Sequence, residues 1–122
     1  MTDGPISDAC RDVLGALSRM RLLLDNEKRL QVDMASHFER AGFAFEREVP
    51  IAGGIIDFRF PCGVGIEVKI GGRARAIYDQ LEGYSVEPSI SHLILATNKA
   101  MALPPRIGDK WCTVVNLGGA WL

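Results

Sequence analysis

The chain has no long apolar run, no excess of either charge, and few cysteines or histidines, and each shortage removes a class of function. None of its hydrophobic stretches approaches the roughly 18 apolar residues expected of a membrane helix. The N-terminal segment carries Asp3, Asp8 and Asp12 without a basic cluster, so it does not read as a signal peptide. Both observations point to a cytoplasmic protein with no membrane partner. Cys10, Cys62 and Cys112 are odd in number and widely spaced, which fits reduced thiols rather than a disulfide framework or a zinc cluster. His37 and His92 lack metal-ligand spacing and read as a helix-surface residue and a strand-start residue. With a net charge of -1 and a pI near 6.1, the chain lacks the broad positive field of a bulk nucleic-acid binder, so any contact with a polyanion must be local. Neither Gly53-Gly54 nor Gly71-Gly72 has the lysine and hydroxyl of a phosphate-binding loop, and both read as turns.

What remains is one soluble domain of 122 residues, 48% hydrophobic and 24% charged, enough to bury a core. Ala9, Val13, Leu17, Met20 and Leu24 recur at three- and four-residue steps, predicting a helix over residues 7–24 with Ser7 as N-cap and an apolar stripe that packs or mediates association. Asp25-Asn26 ends that segment and caps a second helix, whose stripe of Leu30, Met34, Phe38 and Ala41 runs to Gly42, with Glu27 extending it. Alternation over residues 43–49 predicts a strand closed by Pro50 and the Gly53-Gly54 turn, and a hairpin follows over residues 54–70. Residues 73–84 have helical spacing, with Ala74, Ile77 and Leu81 turned inward. His92 to Thr97 reads as a buried strand, Pro104-Pro105 forbids regular structure, and residues 111–117 give a last strand. The divisions are a helical extension (1–25), a core (26–97) and a C-terminal addition (98–122), with no repeat or linker.

The chemistry concentrates in the hairpin. A turn centred on Cys62 sets Asp57 opposite Glu67 and pairs Ile56 with Val68, Phe58 with Ile66 and Phe60 with Val64 as one apolar face. Like charges directly opposite each other are destabilising, and Lys69 projects from the same face as Glu67. Two carboxylates, the main-chain carbonyl of Val68 and an ammonium are what metal-assisted phosphodiester hydrolysis uses: hard oxygens for Mg²⁺ or Mn²⁺, and a cation to position water and neutralise transition-state charge. An exposed cross-strand ion-pair cluster, worth at most about 1 kcal/mol, is the plainer alternative, but it leaves the apolar flanks of every member unexplained.

Asp57 followed by Glu67-Val68-Lys69 resembles the core motif of the PD-(D/E)xK nuclease superfamily, with Ile56 where the proline often stands. The resemblance implies an α/β, restriction-endonuclease-like core of helix, three-stranded antiparallel meander, helix and strand, here with an extra N-terminal helix and a C-terminal strand. Many members direct a glutamate from the first core helix into the site. Glu27 matches by position, and it is equally an ordinary acidic residue complementing the helix dipole; Glu39, Glu46 and Glu48 match less well. Gln80-Leu81-Glu82-Gly83-Tyr84 fits the Q-x-x-x-Y pattern of the branch that includes lambda exonuclease and the nuclease domains of bacterial recombination helicases. Four-residue spacing makes Gln80 and Tyr84 neighbours on a helix, and Arg73 lies seven residues before Gln80.

The reading that follows is a Mg²⁺-dependent DNA nuclease of recombination, repair or DNA processing, exonuclease or structure-specific endonuclease. Its expected catalytic residues are Glu27, Asp57, Glu67, Lys69, Gln80 and Tyr84, with Asp57, Glu67, the Val68 carbonyl and Glu27 toward the metal and Arg73, Arg75 and Lys99 toward DNA. Arg106 and Lys110 are further candidates for phosphate contact, and Trp111 and Trp121 read as core or interface aromatics. A homodimer or other homo-oligomer is expected, since one small domain offers little surface for gripping a duplex and the chain is similar in scale to the dimeric archaeal Holliday-junction resolvases. The alternatives are a nuclease-like fold kept only for binding DNA or protein, and a plain assembly domain.

Overall fold

The computed structural model describes residues 6–117, so Asp3 and Trp121 lie outside the described residues. Three helices, α1 (Asp8–Ser18), α2 (Glu27–Arg40) and α3 (Ala74–Tyr84), cover the two faces of a mixed six-stranded sheet. Its strands are β1 (Glu46–Ile51), β2 (Gly54–Arg59), β3 (Val64–Lys69), β4 (His92–Thr97), β5 (Arg106–Ile107) and β6 (Lys110–Asn116), in spatial order β1-β2-β3-β4-β6-β5. The first three form an antiparallel meander, α3 carries the chain across to β4 parallel to β3, β6 continues parallel to β4, and β5 turns back on β6. No helix among the described residues is long and apolar enough to cross a membrane.

The sheet has a core on each face. Alternation along β4 sends Ile94 and Ala96 toward α1 and α2, and Leu93 and Leu95 toward α3. On the first face Phe38 of α2 anchors an aromatic cluster, with ring centroids 4.9 Å from Phe60, 5.6 Å from Phe43, 5.9 Å from Phe45 and 6.0 Å from Phe58. Pairs at these separations add about 1 kcal/mol each beyond area burial. β3, central and covered on both sides, is buried from Val64 through Val68, which is why a carboxylate at Glu67 lies deep.

Helix signals hold where capping chemistry backs the periodicity. Ser7 Oγ accepts the Cys10 N–H and Asn26 Oδ1 accepts the Arg29 N–H, while Gly42, at φ 86°, ends α2 and lets the Phe43 N–H reach the Phe38 carbonyl. Elsewhere the expectations need correction. The first helix stops at Ser18 instead of residue 24, because Met20 and Leu22 are buried and Arg21 and Leu23 exposed, the two-residue step of an extended connection. Ala9, Ala41 and Ala74 are exposed, and Cys10 takes the inward position expected of Ala9. The α1 stripe of Cys10, Val13 and Leu17 is consumed inside the chain's own core, so it does not serve as the association surface. The first strand begins at Glu46 and includes Pro50, tolerated because β1 is an edge strand. The two-residue β5 was missed altogether.

A twist in β1 and β2 corrects the hairpin face as well. Arg47 lies over the Phe58 ring on the α2 side, yet Val49 and Ile56, the pair two residues nearer the Gly53-Gly54 turn, pack against α3. Regular alternation would keep residues 56 and 58 on one face. Between them Glu48 takes φ 52°, the one positive φ at a non-glycine residue among those described, and no ladder pair joins Glu48 to Asp57. Ile56 therefore belongs to the α3 core, apart from Phe58 and Val68.

The β1–β2 turn packs directly on α3. Gly53 has φ 90°, and a Cβ there would stand 2.9 Å from Gly83 Cα and closer still to its carbonyl. Gly53→Ala is expected to cost about 2 kcal/mol by combining an unfavourable backbone region with a backbone clash; urea unfolding checks this, with Gly42→Ala, where a Cβ meets nothing within 4 Å, as a control for the φ effect alone.

Candidate functional site

The hairpin register is the one the turn implies: Phe58 pairs with Ile66, Arg59 with Gly65, and the Phe60 N–H bonds to the Val64 carbonyl at 2.9 Å. Continuing it places Asp57 across from Glu67. Backbone pairing lapses there, and Asp57 Oδ2 itself accepts the Val68 N–H at 2.7 Å. The carboxylate thus replaces a ladder bond and holds β3 at the point where β2 twists away.

Glu67 is 3% exposed, with Lys69 Nζ 3.5 Å from Oε2 and the Tyr84 hydroxyl 3.1 Å from Oε1. Burial first, and the Asp57 charge second, push its carboxyl up to about 7, while Lys69 and the Tyr84 hydroxyl oppose the rise. Asp57 is raised too, again chiefly by burial; the Val68 N–H works against this, and the charges of Glu27 and Glu48 add to it. Two carboxyls are thereby held side by side in poor solvent, with Lys69 as the compensating cation.

Glu27 joins from the start of α2. Its Oε1 accepts the Ile70 N–H at 3.0 Å, tying the helix to the end of β3, and its charge reaches Asp57. From α3, Gln80 Nε2 donates to Tyr84 Oη at 2.8 Å, and Tyr84 Oη stands 2.8 Å from the Ile55 carbonyl. Burial, followed by the Glu67 charge, raises the Tyr84 phenol, so it stays a neutral donor over any working pH. Its single proton serves either the Ile55 carbonyl or Glu67. The six residues expected to be catalytic are therefore one connected network around the C-terminal end of β3, held by α2 on one side and α3 on the other.

The basic residues separate into three settings. Lys99 follows β4 at the same end of the sheet, since Lys69 and Thr97 are register partners and the Lys99 N–H bonds to Thr97 Oγ1 at 3.0 Å. Arg73 is the exposed N-cap of α3 and Asn98 Oδ1 accepts the Gly71 N–H, so this rim carries Lys69, Arg73 and Lys99 together. Arg75 is paired with its own helix neighbour Asp79 at 3.1 Å. Arg106, stacked 4.1 Å above Trp111, and Lys110, beside Asp109 at 3.5 Å, occupy the opposite end of the sheet, where Trp111 pairs with His92, and do not join the site.

Of the weaker acidic candidates, Glu39 lies exposed near the end of α2 and Glu46 is engaged by Arg59 at 2.9 Å. Glu48 is different: flanked by the pairs Arg47–Phe58 and Val49–Ile56, it is opposite Asp57 from the β1 side. Counting outward from the Gly53-Gly54 turn would have found it. His37 sits on the surface of α2 beside Asp33, and His92 opens β4, buried, with Nε2 2.7 Å from Thr113 Oγ1. Among the described residues, no three His, Cys, Asp or Glu side chains converge as a ready-made metal cage. No family model matches the chain, and neither a curated protein nor a solved structure does.

Proposed function

We propose that the chain is a divalent-metal-dependent DNA nuclease of the PD-(D/E)xK type, with a restriction-endonuclease-like core formed by α2, the meander, α3 and β4. The observation that carries this reading is the placement of a buried Glu67 beside Asp57 with Lys69 on the same strand, two desolvated carboxyls sharing one cation. A structural ion pair needs no second acid. The donor set fits Mg²⁺ or Mn²⁺, which take hard oxygens and keep several waters, so Asp57, Glu67 and the Val68 carbonyl suffice without a third side chain. When bound, the ion supplies Lewis-acid polarisation of a phosphate oxygen and a more acidic water.

This chain's own groups do the rest. Lys69 donates to the attacking water or to the phosphate as negative charge develops. Tyr84, held by the Gln80 amide, orients the Glu67 carboxylate when its proton turns to Oε1 instead of to the Ile55 carbonyl. Glu27, bonded to the Ile70 N–H, fixes the strand end that carries Lys69 and adds a carboxylate at the mouth of the site. Arg73 and Lys99 on the adjoining rim contact the DNA backbone.

The deciding experiment is incubation with linear duplex, single-stranded and branched DNA in Mg²⁺ or Mn²⁺, with chelated controls. Cleavage only with metal is expected. Cleavage that survives chelation, or none on any substrate, overturns the reading.

A further inference from the structure

Cys10 and Cys62 are 52 residues apart in sequence and adjacent in space: the Cys10 thiol donates to the Cys62 carbonyl oxygen at 3.5 Å, and the Cys62 thiol is close enough to feel the Cys10 thiol. Cys10 projects from the first turn of α1 into the core, and Cys62 forms the tip of the β2–β3 hairpin. Cys62 is half-buried and lines a cleft of about 230 Å³ together with Ala9, Val13, Phe43 and Pro61, which gives a small reagent an approach to this residue. All three cysteines are free thiols; Cys10 and Cys62 belong to the core on the α1–α2 face, whereas Cys112, on β6, packs against the core on the α3 face.

We propose that Cys10 and Cys62 are a latent disulfide, an oxidation site at which a peroxide or a diazene reagent closes a staple between α1 and the hairpin tip. With peroxide, the Cys62 sulfur attacks oxygen to give a sulfenic acid and one water. The Cys10 sulfur then attacks the Cys62 sulfur, forming the S–S bond and releasing a second water, so two thiols lose two protons and two electrons to one peroxide. Closure is slow, because burial and the neighbouring Cys10 thiol push the Cys62 thiol up and the thiolate is the attacking species. The staple closes a long loop in the unfolded chain, and its effect falls on stability. Asp57 is five residues back along β2 from the tip, roughly 15 Å at strand rise, so the carboxylate site is not altered. The proposal is independent of the nuclease reading, since neither sulfur touches that site.

The test is treatment of the folded protein with diamide or hydrogen peroxide, followed by unfolding, alkylation and peptide mass mapping. The expected product is a monomer lighter by about 2 Da with a Cys10–Cys62 cross-linked peptide and Cys112 fully alkylated. Its Tm should rise by about 5 °C or more and return on reduction. Cys62→Ser, at the more exposed partner, should abolish both changes while keeping the reduced protein's Tm; Cys10→Ser should do the same from a lower starting Tm because that position is in the core. Full alkylation of all three cysteines after oxidation, a cross-link that includes Cys112, or dimers joined through Cys62 would each overturn the proposal.

Discussion

Lys69→Ala should lower metal-dependent DNA cleavage by about 10³-fold, within the range lost when a general acid–base or charge-stabilising group is removed. The protein should remain folded, because Lys69 is at the open end of β3, with its side chain 28% exposed, and its ion pair among the described residues is with Glu67. Removing the ammonium also takes away a charge that holds the Glu67 carboxyl down, so Glu67 becomes harder to ionise and the loss should be worse at pH 6.5 than at pH 8. Asp57→Asn should be as damaging to cleavage while sparing the fold, since an amide oxygen can still accept the Val68 N–H that Asp57 now accepts at 2.7 Å. Tyr84→Phe should cost about tenfold, acting only through the orientation of Glu67. Arg106→Ala, stacked on Trp111 at the far end of the sheet, should leave the rate within a factor of about two. Initial rates on the preferred substrate at saturating Mg²⁺ check all four. Equal losses for Lys69→Ala and Arg106→Ala would remove Lys69 from the chemistry.

The hairpin was legible in the sequence because its turn left one register that matched apolar partners, and register carries every side chain with it. Glu67, Lys69 and Asp57 followed from that step. The Gln80–Tyr84 contact followed from helix spacing alone. Ile56 was misplaced for a physical reason: period-two reasoning assumes a regular strand, and the twist at Glu48 and Asp57 turns two strands over at once. The same twist explains what no motif states, that Asp57 has a glutamate opposite it on the β1 side as well as on β3. The end of α1 was misread because Met20 and Leu24 continue a helical spacing by coincidence, while burial of Met20 and Leu22 follows the extended step. Tertiary contact also decided what periodicity could not for Glu27: its bond to the Ile70 N–H makes it a tie between α2 and β3, where the sequence allowed either a ligand or a helix-start acid.

In the absence of metal, the Glu67 contribution to stability should fall as pH rises from about 4.5 to 7 and level off above, and Glu67→Gln should remove that fall. The sign follows from linkage. The Glu67 carboxyl titrates at about 7 in the fold against an ordinary 4.5, so the native state binds its proton more tightly than the unfolded chain does. Its contribution is complete below pH 4.5 and is lost as pH climbs through 7. With the side chain only 4% exposed, the cost of holding it ionised at pH 8 is about 3 kcal/mol, near 10 °C in Tm for a domain of this size. Asp57, also raised, adds in the same direction. His92 opposes both: burial lowers it below 6.5, so its contribution is lost as pH falls, and a profile taken below that pH would mix the two effects. The difference between wild type and Glu67→Gln cancels His92 and isolates the carboxyl. At pH 8 the glutamine variant should be the more stable by about 3 kcal/mol, and at pH 5 by less than about 1 kcal/mol. Millimolar Mg²⁺ at pH 8 should close most of that gap by stabilising the ionised wild-type site, and should leave the variant's unfolding midpoint unmoved. Urea unfolding across pH 5 to 8 reads every one of these; equal stability of the two proteins at pH 8 without metal would mean that Glu67 is ionised there at no cost, and the strained pair on which the metal site depends would not exist.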